Sequence, residues 1–121
     1  MDPIIQNFFQ LECQLRLYHW NTTSFARHKA SDEAIGHVVT SMDRIIETLL
    51  GQKDRTSIIP PQIEMKFQTL SDEGILTYLD LFIDYLKRWE SKEVLNSTDI
   101  LNLRDELLGH INQVKYLMTL A

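Results

Sequence analysis

The sequence predicts an all-α protein: a four-helix bundle with one long crossover between the second and third helices. Apolar residues recur with the 3.6-residue helical period in four segments, and no strand-like alternation competes with them. The connections are unequal, because the first and last are short whereas the middle one, from Gln52 to Leu70, has about nineteen residues. The length favours a single domain spanning 1–121.

The first two helices are predicted to meet at a polar corner. The first runs from about Pro3, which suits an initial helical turn, to Trp20. The corner 21–24 supplies capping side chains for the second helix, which ends near Gly51 because glycine favours a helix stop. The predicted core face of the second helix comprises Ile35, Val38, Val39, Met42, Ile45, Ile46 and Leu49.

The other two helices follow the long connection. The third is predicted to start near Ser71, since Asp72 and Glu73 would favour the positive end of its dipole, and to bury an apolar stripe as far as Trp89. A break at 96–99 precedes the last helix, which runs almost to Ala121.

The middle connection decides the predicted topology. Nineteen extended residues span roughly 60 Å at ~3.3 Å per residue, whereas a 25-residue helix is only about 38 Å long. The connection can therefore run the length of the bundle and start the third helix parallel to the second. Its apolar residues predict that it packs against the helices: Ile58, Ile59, Ile63, Met65 and Phe67.

Composition excludes several classes of function. The net charge is −5 and no run of lysine or arginine is present, so nucleic-acid binding is not expected. The lone Cys13 suggests a reducing compartment. No apolar run has the ~18 residues of a membrane span, and the sequence starts with an acid rather than a basic secretory region. We expect a cytoplasmic protein without membrane contact.

Three carboxylates line one face of the second helix, near two histidines at the corner. Asp32 and Asp43 are eleven residues apart, about three turns, and Glu47 follows one turn later. Asp32 and Asp43 lie about 16 Å apart along the axis, at 1.5 Å per residue, so they cannot share an ion within one chain. If two copies of this helix pack antiparallel across a twofold axis, Asp43 and Glu47 approach His28 and Asp32 of the partner, with His19 adjoining. The pattern predicts at least a homodimer with two identical metal sites.

The ligand set suits iron, because oxygen ligands accommodate Fe(III) and imidazole holds Fe(II). Other polar residues are expected to play smaller parts. His37 lies off the acidic face and is expected to be solvated, and Trp20 is most simply a core residue. Glu106 and His110, one turn apart on the last helix, form a weak candidate for a second site.

These residues resemble the Dps-type mini-ferritins of the ferritin-like superfamily over about 15–50. The resemblance rests on Tyr18-His19-Trp20-Asn21 and on the intervals from His28 through Asp32 and Asp43 to Glu47. It implies a ferritin-like fold and an intersubunit ferroxidase centre formed by His19, His28, Asp32, Asp43 and Glu47. Such a centre binds one or two irons, with zinc as a substitute, and oxidises Fe(II) with peroxide or oxygen. The resemblance also implies a homo-oligomer that can extend to a larger shell.

Two departures from that family are visible. His19 and His28 are closer in sequence than in the relatives, and the basic N-terminal tail with which many relatives hold DNA is absent. The stretch from Arg27 to Glu33 is also similar to small Dps-like proteins of large DNA viruses, which implies the host cytoplasm or the virion.

The alternative hypothesis is a non-catalytic, dimeric helical bundle. Such a protein would act as a structural or interaction protein and would keep only a vestigial metal site. Iron or zinc in the purified protein, and a ferric absorbance after addition of Fe(II), would distinguish the two hypotheses.

Overall fold

The computed structural model describes residues 2–121, and all regular secondary structure in that range is helical, which confirms the all-α prediction. Four long helices are joined by two short connections and one long one. The elements are α1 (Ile4–Asn21), α2 (Phe25–Gln52), the single turn α3 (Arg55–Ile58), α4 (Asp72–Lys87), a 3₁₀ turn (Arg88–Ser91) and α5 (Thr98–Met118).

Helix α2 lies between α1 and α5. The end of α1 meets the start of α2 through His19 and His28. The start of α1 lies beside Met42 and Ile46, in the second half of α2, so these two helices are antiparallel. On the other side, Arg44 forms an ion pair of 2.9 Å with Glu106 of α5. Gln52, at the end of α2, donates to Asp99 near the start of α5 over 2.9 Å, which makes this pair antiparallel too.

The long connection lies along α1, but only part of its predicted packing is present: Ile58 is buried and Ile63 and Met65 are half-buried, whereas Ile59 and Phe67 are 45% and 42% exposed. The amide of Gln10 donates to the carbonyl oxygen of Lys66 over 3.0 Å. Gln14 is buried and forms two bonds with the backbone of Gln68, one donated and one accepted, at 2.6 and 3.0 Å. Ile58, in α3, is buried. The connection is therefore held in one path by amide hydrogen bonds in addition to apolar contacts.

Helix α4 runs antiparallel to α1 and in the same direction as α2. The Tyr18 hydroxyl at the end of α1 donates to Asp72 at the start of α4 over 2.7 Å. At the other end, Tyr85 donates to Asp2 over 2.6 Å. Ser71 caps α4 by accepting from the Gly74 N–H at 3.0 Å.

The buried side chains of the described residues form one core. Trp89 lies in it, fully buried against Phe8, although it belongs to the 3₁₀ turn and not to α4 as the sequence suggested. The buried Arg104 donates to the Leu86 carbonyl oxygen and so satisfies an acceptor at the end of α4. Val39 was predicted to be a core residue but is 38% exposed, because it lies at the border of the buried face of α2. None of the helices within 2–121 is long and apolar enough to cross a membrane.

Candidate metal centre

The corner between α1 and α2 brings His19 and His28 together. Only residues 22–24 separate the two helices. Ser24 caps α2 by accepting from the Arg27 N–H at 3.2 Å, and Thr22 accepts from the Ser24 N–H at 3.3 Å. With so short a turn, the last turn of α1 faces the first turn of α2.

The two imidazole rings are stacked, with centroids 3.9 Å apart and planes inclined by 17°. Each Nδ1 lies 2.9 Å from the backbone carbonyl oxygen of the other histidine. Because a carbonyl oxygen only accepts, each Nδ1 carries the proton, and each Nε2 of a neutral ring carries a lone pair. Metal-binding histidines commonly have this arrangement: a backbone acceptor fixes one ring nitrogen, and the other nitrogen is available to a metal.

Both Nε2 atoms are accessible. Within residues 2–121 neither has a hydrogen-bond partner, and the one polar side-chain atom buried without a partner is the indole nitrogen of Trp89. The two Nε2 lone pairs at the corner are therefore available to bind a metal ion.

Buried Ser31 supports the histidine pair, and the sequence interpretation missed it. Its hydroxyl lies 3.0 Å from Nδ1 of His19 and donates to the His28 carbonyl oxygen at 3.0 Å. The sequence did carry a signal for this contact, because Ser31 lies three residues after His28 and therefore beside it, on the buried side of α2. Arg27 also fixes the corner, because it donates to the Tyr18 hydroxyl at 3.0 Å and to the Asp72 carbonyl oxygen at 3.1 Å.

The three carboxylates lie on α2 and are all exposed. Asp43 and Glu47 are close neighbours. The pKa of Glu47 is raised because its carboxyl group shares a hydrogen bond with Asp43 and because the two negative charges repel each other. Asp32 lies one turn after His28, at the other end of the same face. A cation between Asp43 and Glu47 would remove their repulsion.

The five predicted ligands form two groups. His19, at the end of α1, lies with His28 and Asp32 near the start of α2, whereas Asp43 follows Asp32 by about 16 Å along the axis, at 1.5 Å per residue, and Glu47 lies one turn further on. Within residues 2–121 of a single chain, no set of three histidine, cysteine, aspartate or glutamate side chains is close enough to hold a metal ion.

The prediction that Trp20 is a core residue is wrong. Trp20 is 70% exposed, and Phe25 at the start of α2 is 75% exposed. Trp20 follows His19 at the end of α1, where its position turns away from the stripe that Tyr18 continues. An apolar surface therefore borders the histidine pair in the single chain.

The prediction that His37 is solvated is also wrong. His37 is half-buried and stacks on His110 of α5, with centroids 3.7 Å apart. Burial and the neighbouring imidazole lower the pKa of His37, while Glu33 opposes that shift. Glu106 forms an ion pair with Arg44 and not a ligand pair with His110. These residues join α2 to α5.

The chain belongs to a family of unknown function, DUF5856, whose profile matches residues 19–118. The matched range starts at His19 and contains all five predicted ligands. No match was found among the curated proteins or among the solved structures.

Proposed function

We propose that this protein is a ferritin-like, iron-binding protein that oxidises Fe(II) at sites shared between two copies of the chain. The observation that carries the proposal is the reciprocal bonding of His19 and His28, which leaves both Nε2 atoms available as ligands. The parallel directions of α2 and α4, joined by the long connection along α1, support the ferritin-like arrangement.

Each site takes ligands from both copies. His19, His28 and Asp32 come from one chain and Asp43 and Glu47 from its partner, because α2 holds these groups too far apart within one chain. A twofold axis makes two such sites. The iron is di- or mononuclear, and zinc takes the same ligands as a redox-inactive substitute.

Iron is the substrate of this reaction. Each Fe(II) loses one electron, and hydrogen peroxide accepts two electrons and two protons to give two waters; dioxygen is the other candidate oxidant. The carboxylates favour the Fe(III) product, since anionic oxygen ligands stabilise the higher charge. Cys13, the one cysteine, is not part of the site and fits a cytoplasmic location.

The experiment compares Fe(II) oxidation by the wild type, Asp43→Ala and Asp84→Ala. Asp84 is an exposed acid on α4 and serves as a matched control. With peroxide added to anaerobic Fe(II), Asp43→Ala should lose the ferric absorbance signal while Asp84→Ala keeps it. Asp43→Ala should melt no lower than the wild type without metal, because the change removes repulsion with Glu47.

Zinc titration provides a readout that does not depend on oxidation. Wild-type protein should bind Zn²⁺, and His28→Ala should bind it more weakly, because a nitrogen ligand is lost. A wild type that oxidises Fe(II) no faster than buffer would refute the ferroxidase function. If it also bound no zinc, the exposed apolar residues Trp20 and Phe25 would favour the alternative, a non-catalytic dimeric bundle acting in structure or interaction.

A further inference from the structure

We infer that two copies of this chain pair through α2, which crosses its partner antiparallel at Gly36 and seats Phe25 in a hollow beside the partner's Asp43. The inference rests on the proposed function for the meeting of Asp43 with His28, and it adds the contact surface and its register.

The pairing surface combines the acidic face of α2 with exposed apolar side chains of α1 and α2. Phe9, Trp20, Phe25 and Val39 are 40%, 70%, 75% and 38% exposed. Phe25 and Asp43 are eighteen residues apart, five full turns of a helix, so they project from the same side of α2. A face that carries several large apolar side chains is typical of a protein–protein contact.

A hollow at the other end of this face fits the side chain of Phe25. It has a volume of about 180 Å³ and is apolar apart from Asp43; its lining residues are Ile5, Phe9, Met42, Asp43 and Ile46. A cavity of roughly 150 Å³ can hold a benzene ring. Phe25 cannot fill the hollow of its own chain, because Ile46 lies about 32 Å further along the same helix.

The ligands and the apolar contact require the same register. In the antiparallel pair, Asp43 lies opposite the partner's His28. Ile46 is three residues after Asp43 and Phe25 is three residues before His28, so Ile46 lies opposite the partner's Phe25. The metal ligands and the aromatic side chain therefore meet their counterparts together, twice, by symmetry.

The midpoint between positions 28 and 43 falls at Ile35–Gly36. A Cβ added to Gly36 would meet nothing within 4 Å, so no contact within the chain requires glycine there. Glycine is unfavourable inside a helix compared with alanine. At a helix crossing, however, the missing side chain lets two backbones approach closely, which explains a glycine at this exposed position.

The first test compares Gly36→Leu with Gly109→Leu. Gly109, on α5, also has open space around an added Cβ, so both variants should keep the helical circular dichroism of the wild type. By light scattering, wild type and Gly109→Leu should have at least twice the chain mass of 14.2 kDa, and Gly36→Leu should lose the pairing. A wild type that is monomeric at micromolar concentration would overturn the inference.

The second test fixes the register by cross-linking. With Cys13 replaced by serine, Phe25→Cys combined with Ile46→Cys should form a disulfide-linked dimer on mild oxidation. The two positions are about 32 Å apart within one chain, too far for an internal disulfide. Each single-cysteine variant serves as a control and should stay unlinked, and equal cross-linking in a control would exclude this register.

The two proposals can fail separately. A protein that links through positions 25 and 46 but oxidises no Fe(II) keeps this interface and loses the iron function. A protein that oxidises Fe(II) equally well after Gly36→Leu, without the 25–46 link, keeps the function and loses this interface.

Discussion

The four histidines of the chain form two stacked pairs with different surroundings. In the corner pair, His19 and His28, each Nδ1 is fixed by a backbone carbonyl oxygen. The pair formed by His37 and His110 instead borders a small apolar gap lined by residues of α1, α2, α4 and α5. The first arrangement leaves nitrogen lone pairs available to a metal ion, whereas in the second the pKa of His37 is lowered, because desolvation and a neighbouring imidazolium both disfavour its charged form.

The lowered pKa of His37 predicts a loss of stability in acid. The native state resists protonation of this ring, whereas in the unfolded state it takes up a proton near its ordinary pKa of about 6.5. The free energy of unfolding should therefore fall as the pH drops below about 6.5, because the unfolded chain then binds more protons. Urea unfolding of wild type and His37→Gln at pH 7.5 and pH 5 measures the effect. The variant should lose less stability between these values, and an equal loss in both proteins would contradict the assignment to His37.

At this scale the sequence predicted which residues share a helix face but not what fixes their orientation. The intervals between Asp32, Asp43 and Glu47 determine their common direction on α2. The reciprocal bonds of His19 and His28 depend on backbone carbonyl oxygens brought together by a three-residue corner. Side-chain spacing carries no information about those acceptors, and the same holds for the stacking of His37 on His110 from a distant helix.

At the scale of elements, the long connection shows how a segment without regular hydrogen bonds is held. Its length and apolar content predicted that it would run along the helices and pack. Neither property predicted the turn α3, or that Gln14 would bond the backbone of Gln68. A polar residue within an apolar stripe of α1 was the signal for such a bond, since buried amides are almost always paired.

Replacing Gln14 should weaken the attachment of this connection. Gln14→Leu keeps a similar volume but leaves the Gln68 N–H and carbonyl oxygen without their partner, which should cost about 2 kcal/mol of the free energy of unfolding. Gln10→Leu, which removes an exposed bond to Lys66 and a longer one of 3.3 Å to Gln14, should cost less, about 1 kcal/mol, because neither bond is fully buried. Denaturant unfolding compares the two. If both variants cost the same, the buried pair at Gln14 does not anchor the connection.

At the scale of the whole molecule, the charges oppose binding of nucleic acid. The chain has 12 basic and 17 acidic residues, for a net charge of −5. Six of the basic side chains already form ion pairs with carboxylates: Arg16, Arg27, Arg44, Lys92, Arg104 and Lys115. Affinity for duplex DNA comes mainly from basic groups that replace counterions at the phosphates, and only half of the basic groups remain for that purpose.

We therefore expect no DNA binding at physiological salt at submicromolar protein. A second copy does not change this expectation, because it brings the same net charge of −5 as the first. The measurement is a gel shift with duplex DNA at 50 and 200 mM salt, with and without Zn²⁺. Zinc should make little difference, since it neutralises a buried interface and not an exposed surface. A shift that appears at submicromolar protein and weakens steeply with salt would contradict the expectation, and would mean that a larger assembly gathers basic side chains from several chains on one surface.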